Sequence, residues 1–327
     1  MIQRTTFHQQ IAANRRRSLL LLLAVAALFA AFGFAIGFAS TGEPEAGYLS
    51  IGLALVVALL LSAGSYFGGA ALVLSSSGAR EVTDEQAPQL MNVVRELSLG
   101  ANVPPPRVYI IDDSAPNAFA TGRSPDHAAV AVTTGLLEKL DREELQGVIG
   151  HELSHVRNHD IRFTLLVGVL VGSIALLADF FLRFTFWGGG RSSRRSGGGG
   201  GGALQLVVFV VAIVLALLAP FFARLVQLAV SRQREYLADA SSVEITRNPY
   251  GLQRALAKIS ADPEVLEAAN RATQHLFIVN PIKSFEQRAA GLFSTHPPAL
   301  ERINRLRSLS GEAPLEALTA PRTDGPG

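Results

Sequence analysis

The chain has 327 residues, of which 49% are hydrophobic and 17% charged, with a net charge of +2 and no cysteine. Length alone allows one large or two small domains, but so low a charged fraction sets the chain apart from a fully soluble protein. The small net charge, with no basic stripe interleaved with aromatics, excludes a nucleic-acid binder, and the lack of cysteine excludes disulfides and thiolate metal ligands.

The leader, 1–17, carries Arg4, Arg15, Arg16 and Arg17 and no acidic residue. Residues 18–39 and 48–78 contain no charge, and each stretch is long enough to cross the ~30 Å hydrocarbon core as a helix. The first stretch is longer than the core of a signal peptide, and the second follows almost at once. An uncleaved transmembrane hairpin over 18–78 is therefore expected. The short connection between them holds Glu43 and Glu45 and no basic residue. That bias places the leader in the cytoplasm, the connection outside, and the chain back in the cytoplasm near Arg80.

Residues 79–160 read as a soluble α+β segment. Periodicity predicts a helix over 85–99, ended by Gly100, and a strand over 107–111 after Pro104, Pro105 and Pro106. Two more short strands are expected at 117–122 and 128–134, on either side of a turn at Arg123, Ser124, Pro125 and Asp126. A further helix begins near Asp141, where Asp141 and Glu144 stand at capping-box spacing. Residues 161–181, with only Arg162 and Asp179 charged, and the uncharged 203–223 add two more hydrophobic segments, making four expected membrane helices. Between them, 188–202 is a flexible Gly/Ser/Arg linker. From 224 the chain is polar and helical in pattern to about 309. The catalytic part is thus split into 79–160 and 224–316, before a tail, 317–327, expected to be disordered.

The chemistry gathers on the helix from Asp141. At ~100° per residue, Leu145, Ile149, Leu153 and Val156 share one face. His151 and His155 share another, one turn apart, where two imidazoles can meet one ion. Glu152 lies beside the first histidine and can act on water at the metal without being a ligand. This is the HExxH arrangement of zinc peptidases. A third histidine six residues on would mark one large class, but that position is Ile161. His159 continues the four-residue series, yet three ligands on one straight helix spread over ~12 Å and do not close a tetrahedron. Glu235 is the better third ligand. Asp239, one turn later, can accept a hydrogen bond from a ligand histidine.

His151, Glu152 and His155 before one hydrophobic segment, with Glu235 and Asp239 after the next, resemble the HtpX-type membrane zinc proteases, relatives of the CAAX prenyl proteases. The likeness extends over most of the chain and includes Asn117, Ala118, Phe119, Ala120, Thr121 and Gly122, and the run Ser294, Thr295, His296, Pro297 and Pro298. It implies a mostly helical α+β chain with a zincin-like (gluzincin) catalytic domain and one Zn2+ per chain. Residues 117–122 would be the edge strand that binds substrate backbone, and His296 or Arg302 would stabilise the oxyanion. The implied activity is hydrolysis of peptide bonds in misfolded or exposed segments of membrane proteins, at the cytoplasmic face of the cell membrane. Prenylated-peptide processing and a non-catalytic membrane scaffold are the competing readings.

No proline interrupts 141–181, so the zinc helix is expected to run straight into the third hydrophobic segment. His155 lies six residues, or ~9 Å, before Ile161, which brings the site to the membrane surface. Arg183, Arg191, Arg194 and Arg195 disfavour an external third connection. Either the third and fourth segments cross against this bias, or they lie shallow in the bilayer.

Overall fold

The computed structural model describes residues 43–166, 232–266, 276–278 and 297–317, with isolated positions between 16 and 34 and between 206 and 214. These residues are mostly helical around one small mixed sheet. The long helix α1 (Pro44–Ser76) leads into β1 (Arg80–Glu81), α2 (Pro88–Ala101), β2 (Arg107–Ile111), β3 (Ala118–Gly122), β4 (Ala128–Thr133), α3 (Thr134–Lys139) and α4 (Arg142–Arg157). Then follow α5 (Arg232–Thr246), α6 (Pro249–Ala261) and α7 (Ala299–Leu309).

The sheet runs β1-β2-β4-β3, with β2 and β4 parallel and the two outer pairings antiparallel. Period-two alternation splits its side chains between two cores. Val108, Ile110, Ala118, Ala120, Val130 and Val132 face the helical core with α2, α4 and α6. Tyr109, Ile111, Phe119, Ala129 and Ala131 face the other side, where Val73 and Leu74 at the end of α1 and Leu165 pack on them. Both faces are covered, which is why the strands read as short apolar runs.

Strands β2, β3 and β4 form within a residue of their expected bounds, while the two-residue β1 was not anticipated. Helix α2 begins three residues later than predicted. Pro88 sits at its first turn, where the missing N–H costs nothing, and the preceding Ala87 is held out of the helical region at φ −145°, ψ 61°. It ends in a left-handed residue at Asn102, φ 55°, and not at Gly100. Asp141 caps α4 as expected: its carboxylate takes the N–H of Glu144, and Glu144 returns a bond to Asp141 N. Glu144 is buried and also accepts from Lys258 Nζ at 2.7 Å, tying the start of α4 to α6.

The expected straight run from the zinc helix into the next segment is corrected. Helix α4 stops at Arg157, and His159 adopts φ 57°, a left-handed turn that redirects the chain before helical residues 160–166. A sequence without proline can still break a helix when tertiary contacts reward the turn.

Among the described residues, α1 is the helix long and apolar enough to cross a membrane. Residues 33 and 34 lie against it. A side chain on Gly33 would meet Ala54 Cβ at 2.6 Å, and Phe34 occupies the space beside Gly47. The leader 1–17 save for one position, nearly all of the third and fourth hydrophobic segments, the linker 188–202, and the tail beyond 317 lie outside the described residues.

Candidate active site

The apolar face of α4 fixes which way its polar residues point. Leu145, Val148, Ile149, Leu153 and Val156 are all buried against the sheet and neighbouring helices. The faces bearing His151, Glu152 and His155 are then left to meet β3 and α5. Close approach of α5 depends on small residues: an added Cβ at Gly150 would lie 2.9 Å from Ser242 Oγ. Ser242 Oγ instead donates to Gly147 O at 2.7 Å, and Ser154 Oγ donates to His151 O at 2.8 Å. The Ser242 bond, with Ser154 Oγ also 3.5 Å from Ala238 O, docks α5 with Glu235 and Asp239 facing the two histidines.

His151 Nε2 and His155 Nε2 are 3.2 Å apart, and the Glu235 carboxylate lies 3.6 Å from the first and 3.7 Å from the second. The three potential ligand atoms all fall within 4.8 Å of one another. Zinc bonds of ~2.0–2.1 Å place neighbouring ligand atoms ~3.4 Å apart around a tetrahedron, so the donor set fits zinc in both chemistry and spacing. His159 is not part of this group. The surroundings favour positive charge. Burial and Arg302 oppose protonation of His151, yet hydrogen bonds to Asp239 and Glu235 raise its pKa from 6.5 to about 9.

Each histidine has a carboxylate behind it. His151 Nδ1 lies 2.9 Å from Asp239 Oδ1, the contact expected from the Glu235–Asp239 spacing. His155 Nδ1 lies 3.2 Å from Asp160 Oδ2, a partner the sequence reading missed. Five residues along a continuous helix rotate ~140° away from His155, which would point Asp160 elsewhere. The left-handed turn at His159 swings it back, and no local pattern signals that turn. Arg234, also buried, approaches Asp160 at 3.7 Å.

Arg302 is 1% exposed. It grips Asp239 with two donors, Nε to Oδ2 at 2.9 Å and Nη2 to Oδ1 at 2.7 Å, and donates from Nη1 to Ile278 O at 2.8 Å. Its Nη2 lies 3.3 and 3.4 Å from the two nitrogens of His151. His151 Nδ1 is turned to Asp239, so Arg302 sits beside the same carboxylate that orients the ring. Burial alone would raise the Asp239 carboxyl, but Arg302 and His151 hold it below its ordinary value. His296, the other residue considered for the oxyanion, lies outside the described residues.

Glu152 is buried between the histidines and β3. Burial raises its carboxyl above the ordinary range, against the opposing pull of His151 and His155, and the N–H of Ala120 donates to it. Strand β3 is at the sheet edge, as expected for 117–122, but only part of that edge is open. The Ala118 carbonyl accepts the N–H of Ile278 at 2.9 Å. Alternate residues of an antiparallel strand point both backbone groups the same way, so Ala120 C=O and Gly122 N–H are what remain on the outer side. Gly122 has φ 144° and lies so close to β4 that a Cβ would stand 2.5 Å from His127 O. Asn117 fixes the near end, its backbone N–H bonded to Thr133 Oγ1 at 2.9 Å. Phe119 turns to the opposite core, and Thr121 is fully buried.

The family model described as peptidase family M48 matches residues 84–310. A protease HtpX homolog of Streptococcus gordonii is 44% identical over 301 residues, covering 92% of this chain and 99% of that protein. One from Streptococcus thermophilus is 47% identical over 300 residues, with the same coverage. The crystal structure of Ste24p from S. mikatae aligns with a TM-score of 0.46 at 18% identity, over 91% of this chain and 66% of that one. With its family model spanning both halves of the histidine–glutamate site, the chain belongs to peptidase family M48, as a metalloprotease of the HtpX type.

Proposed function

We propose that this metalloprotease is a multi-pass zinc endopeptidase of the cell membrane that cleaves misfolded or exposed segments of membrane proteins on the cytoplasmic side, a quality-control activity. The observation that carries the reading is the convergence of His151, His155 and Glu235, with Glu152 buried beside them against an edge strand. In this reading 79–160 and 224–316 are two parts of one zincin-like domain, 18–78 is a transmembrane hairpin, and 161–223 is a second hydrophobic helix pair joined by the linker 188–202.

His151, His155 and Glu235 would hold one zinc ion per chain, with Asp239 and Asp160 orienting the two imidazoles. Such an ion polarises a scissile carbonyl and lowers the pKa of water toward ~7. Substrate backbone adds to β3 through Ala120 C=O and Gly122 N–H, which sets the scissile bond beside Glu152. Glu152 takes the proton of the attacking water and passes it to the nitrogen of the leaving amine. Its raised pKa suits the second half of that task, because a carboxyl that readily holds a proton can also deliver it. Arg302, buried and bonded to Asp239 and Ile278 through all three of its nitrogens, acts as a positioning residue, which leaves the oxyanion to His296.

The test compares wild-type protein with Glu152→Gln on an unfolded membrane-protein substrate in detergent, with zinc measured in both. Zinc near one per chain in each, and cleavage in the wild type alone, is the expected result. Cleavage by the variant at the wild-type rate would overturn the assignment of Glu152, and absence of bound zinc in the wild type would overturn the metal.

A further inference from the structure

Two arginines from separate segments of the chain converge on one pair of rings in α1. Arg123 directly follows β3, and Arg162 lies just after the turn that ends the zinc helix. The guanidinium carbon of Arg162 is 5.2 Å from the Tyr66 ring centre; that of Arg123 is 5.9 Å from Tyr66 and 5.3 Å from Phe67. The two rings stand edge to face at 4.9 Å. Among the described residues no carboxylate pairs with either arginine, and Arg162 Nε is buried without a hydrogen-bond partner. Two cations held on one ring with no acidic neighbour among the described residues are suited to an anion as a shared partner.

Their position along α1 indicates what balances it. The helix has 33 residues, or ~50 Å, against a hydrocarbon core of ~30 Å. Its last turns are committed to protein, since Ala70, Val73 and Leu74 pack against the sheet. Residues 44–65 span ~33 Å and expose Leu49, Leu53, Val56, Leu59 and Leu60. The hydrocarbon thickness is therefore used up just as the helix reaches Tyr66 and the 68% exposed Phe67. Aromatic rings with arginines at the end of a span mark the headgroup layer, where the rings sit half in lipid and the guanidinium groups meet phosphate.

We propose that Arg123 and Arg162, held on Tyr66 and Phe67, form a clamp for the phosphate of an anionic phospholipid, which pins the open end of β3 to the bilayer surface. This deepens the membrane reading above and rests on it. The Ala118 end of β3 is closed by Ile278, so a substrate strand added at Ala120 and Gly122 leaves toward Arg123 and the headgroups. The cleavable segments are then those within a few residues of a membrane boundary.

The test places full-length protein in phosphatidylcholine vesicles and measures association of spin-labelled phosphatidylglycerol relative to spin-labelled phosphatidylcholine. Each arginine near an anionic surface is worth a factor of ~5 in association. The wild type should prefer phosphatidylglycerol, and Arg123→Gln/Arg162→Gln should lose about tenfold or more of that preference. Arg123→Lys/Arg162→Lys should keep part of it, because an ammonium still binds phosphate as a point charge. Cleavage of a soluble unfolded peptide in detergent should be the same in all three, which shows that the variants are folded. An unchanged preference in the glutamine variant overturns the clamp, and so does displacement of the lipid by inorganic phosphate alone, which would make this a free-anion site. Either result leaves the membrane reading intact as long as the protein floats with phosphatidylcholine vesicles. Failure to float with any vesicle overturns both.

Discussion

Glu152, Glu235 and Asp160 are three buried carboxylates around two histidines, and the proposed chemistry asks something different of each. Glu152 handles a proton, so Glu152→Gln keeps the shape and should cost ~10²–10⁴ in kcat while zinc stays at one per chain. Glu235 is the proposed third ligand, and Glu235→Ala should abolish stable zinc retention in a chelator-competition titration. Asp160 meets the far nitrogen of His155, the one turned away from Glu235. Asp160→Ala should therefore retain the site but weaken zinc ~10–100-fold in the same titration. His159→Ala should leave zinc affinity within twofold of wild type, because His159 contributes a turn and no ligand atom. A His159 variant that loses zinc while the Glu235 variant keeps it would refute the ligand set.

At the scale of elements, the site depends on how closely α4 lies against α5 and α6. A Cβ on Gly147 would stand 2.4 Å from the backbone nitrogen of Leu252, which cannot rotate away as a side chain could. Gly147→Ala should therefore force α6 outward and destabilise the protein by ~1–3 kcal/mol, despite the better helix propensity of alanine. The N-terminal cap acts on the same helix without touching its packing. Asp141→Ala removes the acceptor for Glu144 N and should cost ~1 kcal/mol, with zinc affinity unchanged. Denaturant unfolding of both variants in detergent gives the comparison. A Gly147 variant as stable as the wild type would mean that the helices are not in contact as described.

For the whole molecule, the proposed ligands come from two stretches separated by some eighty residues of sequence, so a bound ion would act as a cross-link between α4 and α5. Zinc at a hundredfold excess over its dissociation constant adds ~2.7 kcal/mol to stability by mass action. Chelation should lower the unfolding temperature of the wild type, and the same chelator should barely move Glu235→Ala. Topology follows from the same bond, since both halves of the site must lie on one side of the bilayer. Single cysteines replacing the exposed Arg80 and Arg247 should both react with a membrane-impermeant reagent from the cytoplasmic face alone, and the natural lack of cysteine leaves no background. Labelling of the two from opposite faces would be incompatible with the ligand set.

Local chemistry was enough to read α4 and much of its load. The Asp141–Glu144 box, the 3.6-residue apolar face, the His151–His155 spacing and the Glu235–Asp239 spacing are short-range patterns, and each reappears in three dimensions at the distance its periodicity implies. The strands were legible for the same reason, as apolar runs between breakers. The left-handed turn at His159 was not legible, nor were the return of Asp160 to His155, the closing of the Ala118 end of β3 by Ile278, and the burial of Arg302 on Asp239. These arrangements join residues far apart in sequence or oppose local helix preference, and only the packing of α5, α7 and the sheet around α4 makes them favourable. The sequence by itself determined which side chains the candidate site has; the tertiary structure decided which of them converge, which stand behind the histidines, and which end of the edge strand stays open.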